Sequence, residues 1–485
     1  MPSDIRVSAS RFVSSVVFVV FLAEVYAALM FTVHAFRQGI SIPEAVLAGT
    51  FLFCATMAGA LLMRRAEHSP SQQDLFRPGG LAAVILCGLA IRIFWLMLVP
   101  PVQTSDYLRY LGAARNFAAS GTYSEDLLGH HFRAFTPPGL PAFLAASIRV
   151  VGDHSWTPAL MNVGLYLLTS VAIGGLAMSL AGRGAAFWSV LLFAVWPSNI
   201  GLTGLAASEP LFLFLLLVAC LLLYLPSEAG FRWSPLCGIA AGLAALTRPT
   251  ALTLPVLWFA ALVILGSEGK RWKSFALASF FLIITVAPWT IRNYRVLGAF
   301  VPVSTNGGDV FYRANNPLAT GTWTARGERD LSPYLGNEVR WNQMGFAWGK
   351  EWIRSHPLDF LKLSIKKQYI FLGSDETGIY WAVERAHPQW RTAYSAGRAA
   401  SDFWWLGLWL LLVFALIRHR EDFLRNPRSV CLLLPFLYFS GIHSIFESQD
   451  RYHIPAVPFL LIVAALALAH KQIHSAGETL GDAAR

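Results

Sequence analysis

Apolar stretches of membrane-crossing length recur through the whole chain. They lie at about 12–33, 43–63, 81–100, 157–180, 185–203, 209–225, 235–247, 250–266, 274–291, 402–418, 429–446 and 454–470. A spanning helix needs roughly 20 predominantly apolar residues, with a range of about 17–25. The sequence therefore predicts an all-α polytopic membrane protein with about twelve transmembrane helices. Charge content points the same way: 14% of the 485 residues are charged, against about 25% in a soluble domain. The first run follows Arg6 and Arg11 and is longer than a signal-peptide core, so it reads as a retained span. Cys54, Cys87, Cys220, Cys237 and Cys431 all sit inside apolar runs without a pairing pattern and read as small apolar residues. The net charge of +10 serves to orient loops. With no basic low-complexity tail, no nucleic-acid partner is expected.

Two short runs, 235–247 and 250–266, flank Thr-Arg-Pro-Thr and form either two helices or one kinked helix. Loop charge favours two. Arg64, Arg65, Arg183, Arg232, Lys270, Arg271, Lys273, Arg418, Arg420, Arg425 and Arg428 then share one side with the N-terminus, which the positive-inside rule makes cytoplasmic. Arg248 then lies near the outer face. The expected division is two extra N-terminal helices (1–80) and a transmembrane core (81–291) that includes an outer loop, 101–156. A large outer loop region (292–401), C-terminal spans (402–471) and a cytoplasmic tail (472–485) follow. The second loop should hold a helix over 337–355, ended by Ser-His-Pro, and an amphipathic one over 358–372. Long connections of this kind are usually functional.

The first outer loop begins PPVQTSDYLRYLGAARNFAASGTYSED, residues 100–126. On a helix over 105–119, Asp106, Arg109, Tyr110 and Ala113 form one stripe. By spacing alone this is a helix along the membrane surface with an Asp N-cap and a surface ion pair. Downstream stand FTPPGLPAFLA (135–145), ASEPLFLFL (207–215), LTRPTAL (246–252), PWTIRNYRVLGAFVPVSTNGG (288–308), NNPLATG (315–321) and DRYHIPAVPFLL (450–461). In this order, over roughly residues 81–470, they resemble the GT-C membrane glycosyltransferases. More narrowly, they look like the bacterial branch related to protein O-mannosyltransferases and the lipid A aminoarabinose transferase. The helices before residue 80 fall outside that pattern.

The resemblance implies a GT-C-like fold with a small periplasmic loop domain. It implies transfer of a sugar from a polyprenyl-phosphate donor to a glycolipid such as lipid A or lipopolysaccharide core, to a glycan, or to a protein. The site would face the periplasm from a bacterial inner membrane. The first outer loop of such enzymes carries the catalytic carboxylate, which places Asp106 as general base, with inversion at the anomeric carbon. Some relatives have two adjacent acids here. This chain has Ser105-Asp106, so a second acid would have to be Glu125, Asp126 or Glu209.

A leaving lipid phosphate needs cations, and Arg109, Arg451, Arg248 and Arg292 are the candidates. Arg248 either serves the substrate or pairs with a carboxylate such as Glu209. Arg292 either contacts phosphate or snorkels to headgroups. Arg451 and Tyr452 precede a helix start that favours anions. His453 beside them reads as interfacial. Tyr110, Arg133 and Asn306 are further substrate-contact candidates, Asn306 by resemblance only. Trp323 stands apart from the belt and lipid-facing aromatics as a possible sugar platform. His130, His131, Asp126 and His154 match no familiar metal spacing, so no metal or other cofactor is expected. The rival readings are an O-antigen ligase or polymerase with a diphosphate donor, a lipid-linked sugar transporter or flippase, and an inactive structural subunit. A transporter would carry mid-membrane charges and an internal repeat, and the sequence offers neither clearly.

Overall fold

Runs of Leu, Ala, Val and Phe fold into long helices wherever proline and glycine do not interrupt them. The computed structural model describes residues 3–39, 78–127, 129–225, 227–266, 269–324 and 327–469. The expected span 43–63 and the tail 472–485 lie outside these. The described residues are almost wholly helical, as in a multi-pass membrane protein. Its main helices are α1 (Ser3–Gly39), α2 (Pro78–Leu98), α3 (Ser105–Ser120), α4 (Gly139–Val151), α5 (Thr157–Ala194), α6 (Ser208–Tyr224), α7 (Ser227–Thr247), α8 (Leu254–Ile264) and α9 (Lys270–Leu297). They continue as α10 (Gly307–Arg313), α11 (Glu338–Ser355), α12 (Pro357–Gly373), α13 (Arg391–Arg418), α14 (Leu434–Ile445) and α15 (Val457–Leu468).

Seven of the described helices are long and apolar enough to cross a bilayer, or eight if one bent pair is a single span. The seven do not test the expected twelve: the run 43–63 lies outside the described residues, and several other apolar runs are broken, merged or short. α5 is 38 residues long but breaks at Gly182 (φ 83°), beside Arg183, so its two arms correspond to separate predicted runs. The short helix Pro197–Gly201, continued by a single turn to Gly204, meets α6 at 118°. Pro249 excludes its predecessor from helical geometry. Arg248 is accordingly extended, at φ −142° and ψ 119°, and α7 ends there. Leu225, Gly230, Leu265, Arg271 and Ser274 gather around a small cleft at the far ends of α6 and α7. Arg248 and Thr250, by contrast, line the main cavity. α8 thus connects two opposite ends of the bundle. Single cysteines at Lys270 and Thr322, in a cysteine-free background, are expected to label with an impermeant thiol reagent from opposite faces of the membrane. Labelling of both from one face would return the Thr-Arg-Pro-Thr region to a single kinked helix.

α15 is apolar all round, and a helix of that kind belongs in the centre. Val457, Phe459, Leu460, Leu461 and Ile462 are all fully buried, packed chiefly on α5 and α13. α1 is built into the bundle rather than appended to it. Its Phe21 is fully buried and meets Phe436 edge-on, and Thr32 donates to the Leu372 carbonyl at 3.2 Å. A charge inside the apolar layer costs roughly 2.5–3.5 kcal/mol when unsatisfied. Arg92 of α2 offsets that cost by donating to the carbonyls of Gly88 (3.1 Å) and Ala194 (3.0 Å) and to Asn199 (2.7 Å), with Tyr166 under its guanidinium.

The outer loops share a core of their own. Phe132 and Phe135 from the first loop pack with Tyr312, Leu331 and Trp341 from the second. Glu338, at the start of α11, accepts from the backbone N–H groups of Arg133 (2.9 Å) and Ala134 (3.1 Å) and from the Thr305 hydroxyl (2.8 Å). A short antiparallel hairpin, Glu125–Leu127 with His130–Phe132, precedes Phe135. Gly139 opens α4 directly against Thr247: a Cβ there would lie 2.5 Å from the Thr247 hydroxyl and 2.7 Å from its amide. The Pro-Pro-Gly and Thr-Arg-Pro segments are thereby clamped together at the rim of the cavity.

Candidate active site

The cavity between the helix ends and the loop core has a volume of about 1780 Å³. Asp106 stands on its wall in the first turn of α3. The N-cap position is Thr104, whose side chain makes no capping bond, so Asp106 is not the cap. Ser105 holds φ 51°, the left-handed region that non-glycine residues seldom occupy. Asp106 Oδ1 accepts from Arg109 Nη2 at 3.0 Å, and Oδ2 lies 3.7 Å from Arg451 Nη1. Two guanidinium groups therefore face the two oxygens of one carboxylate. Arg109 also reaches Glu125, Nε to Oε2 3.7 Å. Burial disfavours charge on Arg109, but Asp106, Tyr110 and Glu125 more than restore it and raise its pKa. Tyr110 lines the cavity on the same stripe, and burial pushes its phenol up to about 12.

The other candidates fall into two groups. Arg248, Arg451, Tyr452 and Asn306 line the cavity. Arg248 donates to Ser208 Oγ at 3.1 Å and pairs with Glu209. Tyr452 stacks on His443 with ring centroids 4.1 Å apart, and Asn306 accepts from the Ser304 hydroxyl at 2.8 Å. Arg292, Arg133 and Glu209 do not line the cavity in this structure. Arg292 donates to the carbonyls of Arg133 (2.6 Å) and Tyr123 (2.8 Å) and so fastens the first loop to α9. Arg133 is exposed, with its backbone tied to Glu338. Glu209 is buried behind Arg248.

The acids considered as a second catalytic group also lie off the wall. Glu125 accepts from the Thr136 amide (2.5 Å) and hydroxyl (2.7 Å), and burial raises its carboxyl pKa. Asp126 is exposed and pairs with His131 across the hairpin at 2.8 Å. His154 stacks on Trp156. No group of three or more His, Cys, Asp or Glu residues that could hold a metal ion occurs among the described residues. His453 is fully buried rather than interfacial, between Asp375 at 3.1 Å and the Phe371 carbonyl at 2.6 Å.

Several cavity-lining charges carry no sequence signal of their own: Asp309, Arg313, Glu376, Arg398, Glu447 and Asp450. Burial pushes the Asp309 carboxyl up. Only the run Glu447-Ser-Gln-Asp450-Arg451-Tyr452, dense in polar groups between two apolar helices, could have drawn attention to two of them.

Residues 136–291 match the family model of the dolichyl-phosphate-mannose-protein mannosyltransferases. The fold is similar to that of the oligosaccharyltransferase of Archaeoglobus fulgidus in the apo form, with a TM-score of 0.51 and 12% identity over 84% of this chain and 52% of that one. The fold is of the GT-C type, and the segment 136–291 is similar to the mannosyltransferase family. ArnT from Cupriavidus metallidurans, solved bound to undecaprenyl phosphate, is a more distant likeness: TM-score 0.42, 15% identity, 84% of this chain and 79% of that one. No curated protein matches this chain by sequence. It spans about half the length of the archaeal oligosaccharyltransferase, and the likeness is one of fold. The matched family segment carries the Pro-Pro-Gly turn, Glu209 and Arg248, but it starts after Asp106 and ends just before Arg292.

Proposed function

We propose that this chain moves a sugar from a polyprenyl monophosphate to an acceptor hydroxyl on a glycolipid, glycan or protein. The reaction would take place at the periplasmic face of a bacterial inner membrane, with the domain division read from the sequence. The observation that carries the reading is the placement of Asp106 on the cavity wall with Arg109 and Arg451 at its two oxygens. Arg109 and Arg451 both face the Asp106 carboxylate. A donor phosphate competes for the guanidinium groups, which bind it in a planar fork. That exchange frees a carboxylate oxygen for the acceptor.

The acceptor oxygen then attacks the anomeric carbon, and its proton passes to Asp106. The bond from that carbon to the phosphate oxygen breaks, and polyprenyl phosphate leaves with the electron pair. One direct displacement inverts the anomeric configuration. Arg451 and Arg109 meet the charge that grows on the leaving phosphate. Arg248, held by Glu209, adds a third cation at the same wall.

A strain lacking the gene is expected to accumulate the unused donor, a polyprenyl monophosphate bearing one sugar. Its envelope glycans or glycolipids, or a membrane protein, should be lighter by that sugar. Intact-mass comparison with the parent strain checks both. Accumulation of a diphosphate-linked saccharide instead would favour an O-antigen ligase or polymerase.

A further inference from the structure

The cavity has a second charged face that the transfer chemistry leaves unused. α10 carries Asp309 and Arg313 four residues apart, on one side of the helix, with Arg313 Nε 3.3 Å from Asp309 Oδ2. Glu447, in the turn after α14, brings Oε2 within 3.5 Å of Arg313 Nη2. Its Oε1 accepts from the Tyr452 hydroxyl at 2.9 Å. Tyr452 follows Arg451, so this face adjoins the Asp106 site. Glu447 is only 3% exposed, yet its Oε2 takes no hydrogen bond, and neither does the buried Nε of Arg313. Buried polar atoms without a hydrogen bond are costly, and a polar ligand in the cavity they line would offset that cost.

Trp323 stands at the same wall, 57% exposed, with the Arg313 guanidinium 5.8 Å from its ring centroid. Its segment is stitched to the Glu447 turn, because the Ser448 amide donates to the Gly321 carbonyl at 2.8 Å. Gly321 holds φ 93°, which a side chain would strain.

We infer that Trp323, Arg313, Asp309 and Glu447 form a subsite for one uncharged pyranose ring. A sugar hydroxyl both donates and accepts. The carboxylates take the donated hydrogens, and the guanidinium supplies the accepted one. The indole face covers the C–H face of the ring, the apolar half of the same ligand. An anionic substituent would meet two acids against one arginine, so a phosphate or uronate is disfavoured here and belongs with Arg109, Arg248 and Arg451. The ring is either the sugar on the donor or a sugar on the acceptor. Only that source rests on the proposed transfer.

Saturation-transfer NMR on the full-length protein in lipid nanodiscs tests the subsite. The probes are the methyl α-glycosides of mannose, glucose and galactose, with methyl glucuronide as the anionic control. At least one neutral glycoside is expected to bind. Trp323→Ala should raise its Kd about tenfold, Glu447→Gln should weaken it, and Trp323→Phe should retain most of it. Trp323 is exposed, so its truncation opens no core. Preloading with the lipid fraction of the deletion strain distinguishes the sources. Loss of the probe signal assigns the ring to the donor, and its persistence assigns it to the acceptor. Three results would overturn the subsite: no neutral glycoside binds, Trp323→Ala binds unchanged, or the glucuronide binds as tightly. The measurement needs no turnover, so failure of the subsite and failure of the transfer reading are separate outcomes.

Discussion

Asp106→Asn is expected to lower turnover at least about a hundredfold, the lower range for loss of a positioned proton acceptor. The replacement keeps the side-chain shape and most of its hydrogen bonding but cannot take a proton from the acceptor hydroxyl. The fold should tolerate it. The side chain is 34% exposed, and the two arginines it pairs with are each held by another contact. Ion pairs with this much solvent contribute at most about 1 kcal/mol each. Expression level, membrane insertion and thermal midpoint should therefore stay near the wild-type values while turnover falls. Near wild-type turnover in a purified assay would remove Asp106 from the mechanism.

Arg451→Gln should have the next largest effect, about a hundredfold on kcat. Three arginines line the wall proposed to hold the phosphate, but they are not equally committed. Arg248 is bound to Glu209 and Ser208, and Arg109 makes its closest contact with Asp106 while reaching Glu125. Arg451 makes only long contacts, 3.7 Å to Asp106 and 3.4 Å to the Tyr452 hydroxyl. Its Nε takes no hydrogen bond. It can turn to a phosphate with the least lost. The charge on that phosphate rises as the glycosidic bond breaks, so the contact strengthens toward the transition state. The loss should appear mainly in kcat and less in the KM for lipid donor. Arg451→Lys should recover only part of it, since lysine keeps the charge but not the planar fork. A KM rise with unchanged kcat would mean that Arg451 binds ground state and transition state alike.

The helix carrying Asp106 was legible because its sequence is a local matter: an amphipathic stripe between a proline pair and a glycine. The structure gives Ser105–Ser120 for the expected 105–119, and the loop helices Glu338–Ser355 and Pro357–Gly373 for the expected 337–355 and 358–372. The break at Thr-Arg-Pro-Thr was legible too, because proline acts on its neighbour. Arg292 was not. Its partners are carbonyls about 160 residues away in the chain, and nothing in its own surroundings announces them. The hairpin strands have three residues each, too short for an alternating pattern. The Asp309, Arg313 and Glu447 group comes from two segments more than a hundred residues apart. The stitch from Ser448 to Gly321, the Asn315 amide donating to the Ile445 carbonyl at 2.9 Å and the Phe311–Phe446 ring contact bring these segments to one wall.

The most direct test of the proposed transfer is a reconstituted reaction in nanodiscs. Purified protein is mixed with the lipid that accumulates in the deletion strain, carrying ¹⁸O at the bridging position between sugar and phosphate, and with membranes of that strain as acceptor. Mass spectrometry follows the label, and NMR of the product reads the anomeric configuration. The account predicts that ¹⁸O stays with the released polyprenyl monophosphate, that the sugar joins the acceptor through the acceptor's own oxygen, and that the configuration inverts. Donor recovered uncleaved, ¹⁸O carried into the linkage to the acceptor, or a product that retains configuration would contradict it.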